Sequence, residues 1–501
     1  MSAPDSTAVR PARLDRRYWM CNVVEMWERL AYYSARPIAG VYIMQADDPG
    51  GLHLTAAHRG VIFAWWSFVQ SLLPTVTGGL ADRYGYRRTL VFALSVNALG
   101  YALMAAFHSY AGFFSGCLVL AFGTAFFKPA VHGTIAHCLT RETSSLGWGI
   151  FYMVVNVGSQ IGHLVTPFIL GDASRRTAAY WSYVFLACAG VSVINLLTLA
   201  WYPKIASGST RRESPLEVLR RTLRDALEPR LFSWLLIMSG FWMMMYQLWD
   251  MHPNFIQDWI DSTAIAARLP VRAWTEIGPD GLRRVQQQVL LSIDSTLIIL
   301  LVGVMSLLVR RMRTLSAMVI GMAGVTAGIL VSGLSRSGWN LLGGIALFSL
   351  GEMIVGPKTS EYLALIAPAD KKGRYLGYAN IPTGIGQGLG GFLAGVIYGD
   401  YGEKATLALR YIVDYKLVPL NTASMPGPSD WSTLTGIPRT EAFARLQALL
   451  GQSGSQVTQL LWDTYSPHTH VWLPFAAVGV AAGIALTIYG RLARRWSDLN
   501  A

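Results

Sequence analysis

The residues of this chain best suited to chemistry lie together near its start, in the run Glu25-Met26-Trp27-Glu28-Arg29-Leu30-Ala31-Tyr32-Tyr33-Ser34-Ala35-Arg36. Glu25, Glu28, Arg29, Tyr32, Tyr33 and Arg36 recur at steps that line one face of an α-helix. The flanks, Trp19 to Val24 and Pro37 to Met44, are mostly apolar, so the helix is long enough to cross a bilayer. Each ionisable group costs several kcal/mol at the bilayer centre unless it faces a cavity or a partner. The stripe therefore predicts a charged face turned inward. Two carboxylates within a turn of a guanidinium can form a permanent ion-pair lock or can exchange a proton. The spacing leaves both readings open.

The rest of the chain supplies the elements that must hold such a stripe. Of 501 residues 52% are hydrophobic and only 14% charged, against about 25% charged in soluble proteins. Apolar runs recur along the whole length and predict an all-α membrane protein with twelve spans, at about 18–45, 57–80, 89–107, 111–138, 147–170, 178–202, 232–258, 288–309, 314–334, 339–366, 373–398 and 469–490. The net charge of +12 sits in clusters on one side of these spans, among them Arg83/Arg87/Arg88, Arg310/Arg311/Arg313, Lys371/Lys372/Arg374 and Arg491/Arg494/Arg495. Such clusters mark the cytoplasmic side, which puts both termini there and implies no nucleic-acid partner. The polar stretch 1–17 has no apolar run, so the first span is expected to act as the insertion signal. The organisation read from this is a tail at 1–17, a six-helix half at 18–202, a cytoplasmic linker at 203–231, a second half at 232–490 and a tail at 491–501. The linker carries Ser214-Pro215 at a helix start, followed by Leu216, Val218, Leu219, Leu223 and Leu227, the pattern of an amphipathic surface helix. An insertion at 399–468 on the outer side reads as a small helical cap broken at Pro426-Gly427-Pro428 and at Gly451 to Gly454. Cys21, Cys117, Cys138 and Cys188 lie in or beside apolar spans and indicate neither a disulfide framework nor a metal site. No cofactor is implied, and the lack of a phosphate-binding G-x-x-x-x-G-K-[ST] argues against ATP as the driving force.

After span 2 comes Gly79-Leu80-Ala81-Asp82-Arg83-Tyr84-Gly85-Tyr86-Arg87-Arg88. This turn resembles the signature of the major facilitator superfamily. The resemblance implies two six-helix halves with a binding site between them. Within that superfamily, E-x-x-E-R-x-x-Y-Y at Glu25 to Tyr33 resembles the signature of the proton-coupled oligopeptide transporter family. Phe127-Lys128-Pro129 in span 4, Phe151-Tyr152 with Asn156, Gly158 and Ser159 in span 5, Phe241-Trp242 with Gln247 in span 7, and Gly351-Glu352 with Pro357 in span 10 agree with it.

The family resemblance implies proton-driven import of di- and tripeptides by alternating access, by a monomer in the cell's inner membrane. Its partners would be a small peptide, protons and the lipid bilayer, and it would not be an enzyme. Arg29 and Lys128 would hold the peptide carboxylate, the first bidentately and the second as a point charge. Glu352 would face the α-ammonium. Tyr32, Tyr33 and Asn156 would offer polar groups to the ligand backbone, and Trp242 an apolar wall. Glu25 and Glu28 beside Arg29 would couple protons to substrate. A related facilitator of another small zwitterion or anion, an exporter, and a non-transporting sensor remain as alternatives.

The chain departs from the family at several points. The acid expected just before Gln247 is replaced by Tyr246, so Arg36 needs another partner to close the outer side. Asp250, one turn further along span 7, is the expected gate acid. Asp294, where the family tends to have asparagine, is the alternative. Gly356 stands where a serine is usual, and no extra helix pair separates the halves. His132, one turn after Lys128, reads more readily as a hydrogen-bonded packing histidine than as a titrating group. The glycines of span 11 read as helix-packing positions.

Overall fold

A computed structural model describes residues 14–140, 142–205, 215–278, 281–367, 375, 377–421 and 431–493. Twelve helical spans run through it. Span 1 is Arg16–Met44; span 2 is Ala56–Leu72 continued by Pro74–Tyr84; spans 3 to 6 are Tyr86–Ala106, Tyr110–Cys138, Ser144–Leu170 and Ala178–Thr198. Span 7 is broken into Pro229–Met245, Gln247–Asp250 and His252–Trp259; spans 8 to 12 are Gln287–Val309, Thr314–Gly333, Gly338–Ile366, Asn380–Tyr401 and Pro467–Ala493. Nine helices and the bent pair of span 2 are long and apolar enough to cross a membrane. The remaining two are span 1, with its ionisable stripe, and the glycine-rich span 11.

The breaks have local causes. Pro74 opens the second piece of span 2, where the axis bends by 44°, because proline cannot donate its missing N–H to the preceding turn. In span 7 the helix relaxes at Tyr246 and Met251, with Pro253 in the first turn of the last piece. The broken stretch docks on span 1 at Gly40, where an added Cβ would meet the Asn254 Oδ1 at 2.8 Å and the Asp250 carbonyl at 3.6 Å.

The two halves meet along three pairs of spans, 1 with 7, 2 with 11, and 5 with 8. The glycines of span 11 permit close packing on two sides, against span 2 of the other half and against span 7 of its own half. A Cβ at Gly395 would lie 2.7 Å from the Ala56 carbonyl of span 2, and one at Gly386 would lie 2.4 Å from the Ser239 carbonyl of span 7.

One feature outside the spans differs from the sequence expectation. The connection between spans 7 and 8 carries a two-stranded antiparallel hairpin, β1 Thr275–Ile277 with β2 Arg283–Val285, so the chain is not wholly α. The insertion between spans 11 and 12 folds as helices Lys404–Asp414, Trp431–Thr435, Ala442–Leu450 and Gly454–Tyr465 around buried Leu407, Ile412, Leu446 and Leu461. The break at Pro426-Gly427-Pro428 lies outside the described residues, as do Lys371, Lys372, Arg374, Arg494 and Arg495. In the linker, the helix Pro215–Ala226 leaves Leu219 and Leu223 exposed, and Leu227 just beyond it. That is the face of a surface-lying amphipathic helix.

Candidate functional site

Span 1 delivers its stripe as its spacing requires. Arg29 ion-pairs with Glu28, and its Nε lies 3.2 Å from the Glu25 Oε1. All three side chains are buried. Gly158 and Gly162 of span 5 let span 1 approach at this level. A Cβ at Gly158 would come within 2.9 Å of the Arg29 Cβ, and one at Gly162 within 2.8 Å of the Leu30 carbonyl. The glycine of the span 5 motif thus seats span 5 directly against Arg29.

Lys128 of span 4 is partly exposed and makes no ion pair among the described residues. Tyr33 is also partly exposed, its ring edge-on to Tyr32 at 5.4 Å and tilted against His163 at 5.8 Å. Asn156 donates its amide to the Tyr152 carbonyl at 3.0 Å. Trp242 packs on Tyr246 with centroids 5.6 Å apart and leaves its indole N–H without a hydrogen-bond partner. Across the interface Glu352 accepts from the Tyr152 hydroxyl at 3.5 Å, while its Oε2 has no partner. The cations of the first half and the acid of the second are thus separate, with unsatisfied polar atoms on Glu25 and Glu352.

Three residues sit elsewhere than the sequence implied. Tyr32 turns to span 2, where its hydroxyl and the Gln70 side chain exchange hydrogen bonds at 3.0 and 3.2 Å, so it braces the helix instead of offering its hydroxyl to a ligand. Asp294 does not reach Arg36. It accepts from the Ser349 hydroxyl of span 10 at 2.6 Å. His132 is exposed and without a hydrogen bond, with Trp148 and Phe151 edge-on at 5.7 and 5.2 Å.

The end of the molecule that carries the insertion is tied across the halves. Arg36 ion-pairs with Asp250 at 3.0 Å, donates to the Ser67 hydroxyl at 3.1 Å and lies 4.2 Å from the Phe63 ring and 4.5 Å from that of Trp66. The sequence also gave no warning of several partners here. Arg176, between spans 5 and 6, holds Asp48 and the hairpin's Glu276 at 2.6 Å each. Asp258 accepts from Gln45 at 2.7 Å and from Tyr398 at 2.6 Å. Arg439 of the insertion ion-pairs with Glu403 and donates to the carbonyls of His53 at 2.6 Å and Leu54 at 2.7 Å. Burial holds the Glu403 carboxyl above the usual carboxylate range, against the opposing pull of Arg439. Most of these ties join residues a hundred or more positions apart, and helical periodicity carries no signal for them. At the opposite end, Asp82 of the turn after span 2 accepts from the Tyr86 hydroxyl at 2.7 Å, and Arg87 caps the Leu199 carbonyl at 2.9 Å.

Comparison with known proteins agrees with this architecture. The Major Facilitator Superfamily model matches residues 28–267. This match, over just under half of the chain, makes it similar to the major facilitator superfamily. The relatives include both a peptide permease and multidrug resistance proteins. Dipeptide and tripeptide permease A of Erwinia pyrifoliae is 29% identical over 198 residues, which is 39% of this chain and 39% of the permease. Multidrug resistance protein MdtH of Klebsiella pneumoniae is 24% identical over 332 residues, 66% of this chain and 75% of that protein. A structure titled for substrate recognition in proton-dependent oligopeptide transporters superposes with a TM-score of 0.65 at 18% identity, covering 96% of this chain and 99% of the other. That last likeness is one of fold. With its run of apolar helices, the chain is a multi-pass membrane protein.

Proposed function

We propose that this chain imports small peptides with protons by alternating access between its two halves. The observation that carries the reading is the division of charge. Arg29 is held by two buried glutamates on the first half, and Glu352 waits on the second with one oxygen unsatisfied. A zwitterionic peptide answers both. Its carboxylate competes with Glu25 and Glu28 for Arg29, with Lys128 adding a second positive charge. Its ammonium takes the free oxygen of Glu352, and only a ligand long enough to touch both halves draws them together. A proton taken up by Glu25 or Glu28 frees Arg29 for the incoming carboxylate, so proton and substrate enter as one event. Tyr33, Asn156 and Trp242 line the space between. Arg36 and Asp250 form the gate on the insertion side, which in this orientation is external, with both termini in the cytoplasm and the chain acting as a monomer in the inner membrane. The permease relative supports a peptide substrate.

Uptake of labelled dialanine into proteoliposomes, with and without an inward proton gradient, tests this. Gradient-dependent accumulation is the expected result. Binding without flux indicates a sensor. Flux only of unrelated solutes, or extrusion, favours a drug-exporter reading, for which the longer match to MdtH speaks.

A further inference from the structure

The second half carries a buried carboxylate besides Glu352. Asp294 of span 8 takes the Ser349 hydroxyl at 2.6 Å. Ser349 and Glu352 stand three apart on span 10 and share a face, so Asp294 packs beside the stretch that presents Glu352. Glu352 itself accepts from the Tyr152 hydroxyl of the first half at 3.5 Å. The next residue of span 8 is tied across the halves, with the Ser295 and Ser159 hydroxyls 3.0 Å apart. Asp294 therefore belongs to the wall of the central site and is held there from both sides. Neither acid is in an ion pair among the described residues.

The charges in the site do not balance for a plain zwitterion. On the first half Arg29 and Lys128 match Glu25 and Glu28. On the second half, Glu352 and Asp294 face no cation. A dipeptide without charged side chains supplies one ammonium to two carboxylates. An unanswered buried charge is costly, so a ligand with two cationic groups on one end is better matched. Ser349 and Glu352 are about one helical turn apart (~5 Å), a separation that an α-ammonium and the side-chain cation of the same residue can span.

We infer that this transporter selects peptides whose amino-terminal residue carries a second positive charge, such as lysine, ornithine or arginine, with Glu352 and Asp294 each taking one cation. Asp294 is then the specificity-determining residue. This rests on the peptide reading above and narrows its substrate class.

The test measures binding and proteoliposome uptake of Lys-Ala, Ala-Lys, Ala-Ala and 1,5-diaminopentane by the full chain and by its Asp294→Asn variant. Asparagine keeps the shape and the Ser349 contact. The expected result is a preference of about tenfold or more for Lys-Ala over both Ala-Ala and Ala-Lys. That preference should fall to near unity in Asp294→Asn, while Ala-Ala is handled as well as or better than before. Equal affinity for Lys-Ala and Ala-Ala in the unmodified chain overturns the inference and leaves peptide transport standing. So does an Asp294→Asn variant that keeps the preference, or one that loses proton coupling while the ratio is unchanged, which would make Asp294 a proton site. If no peptide binds but 1,5-diaminopentane does, and does so through Asp294, the peptide reading fails and the two-cation site is upheld.

Discussion

Buried charge is treated in opposite ways at two levels of this molecule. At the insertion end, acids and bases from different halves answer each other: Arg36 with Asp250, Arg176 with Glu276, and Asp258 with Gln45 of the other half. Between the two halves, further from that end, Arg29 is answered from its own helix, Lys128 has no ion pair among the described residues, and Glu352 keeps an unsatisfied oxygen. Ties across the halves hold a conformation. Charges left for a ligand must stay free of such ties. The contrast separates a seal from a site. Arg59 is the exception at the insertion end, fully buried with no hydrogen-bond partner for its guanidinium among the described residues and the Phe63 ring 4.9 Å away.

The contrast can be broken most forcefully at Asp250. Asp250→Ala leaves Arg36, which is 2% exposed, without its counter-charge. Breaking one side of a buried pair costs about 3–5 kcal/mol, so thermal unfolding in detergent should fall markedly and transport should be lost. Combining Arg36→Asp with Asp250→Arg should recover part of both. Unfolding unchanged from the parent chain would remove this pair from the seal.

On the ligand side, Glu352→Gln should spare the fold and weaken peptides with a free amino terminus far more than their N-acetylated forms. A charge-assisted contact of about 1.5–3 kcal/mol corresponds to roughly a ten- to hundredfold loss of affinity. Equal losses for both ligand types would take Glu352 out of the ammonium site.

Glu28→Gln separates coupling from binding. With one proton per substrate and a gradient of one pH unit, the parent should concentrate substrate about tenfold, which is about 1.4 kcal/mol. The variant should reach a ratio near unity while still exchanging labelled for unlabelled substrate. Retained accumulation would move coupling elsewhere.

The smallest effect is expected at Glu403, in the insertion. Because burial raises its carboxyl in the folded chain, the folded state binds that proton more tightly than the unfolded one. The resulting stability is fully present below the unfolded value and is lost as pH rises through the raised one. Glu403→Gln should flatten that part of the stability–pH curve. It should disturb the cap less than Arg439→Ala, since Arg439 also donates to His53 and Leu54. An unaltered pH profile would assign the slope to another group.

Much of the span layout was legible from apolar runs, and the stripe of span 1 from its 3.6-residue period. The substitution of Tyr246 for an acid directed attention to Asp250, because an arginine at that depth demands a counter-charge within reach. Tyr32 was misread, since it lies on the stripe yet faces Gln70. The hairpin between spans 7 and 8 was missed because each strand has only three residues, too few to display alternation. Pro74 was visible, but its bend depends on what the second piece packs against.

The sequence by itself determined where the helical spans fall and which residues share a face on each. Those are local properties, set by a fixed rise and rotation per residue. Only the tertiary structure decided which helix lies opposite each face. A helical period gives an angle about one axis and no information on the neighbour found at that angle. For that reason Asp250, the expected partner of Arg36, and Asp294, its alternative, parted company in the folded chain. Asp250 of the broken span 7 meets Arg36, while Asp294 turns toward span 10 and takes the Ser349 hydroxyl.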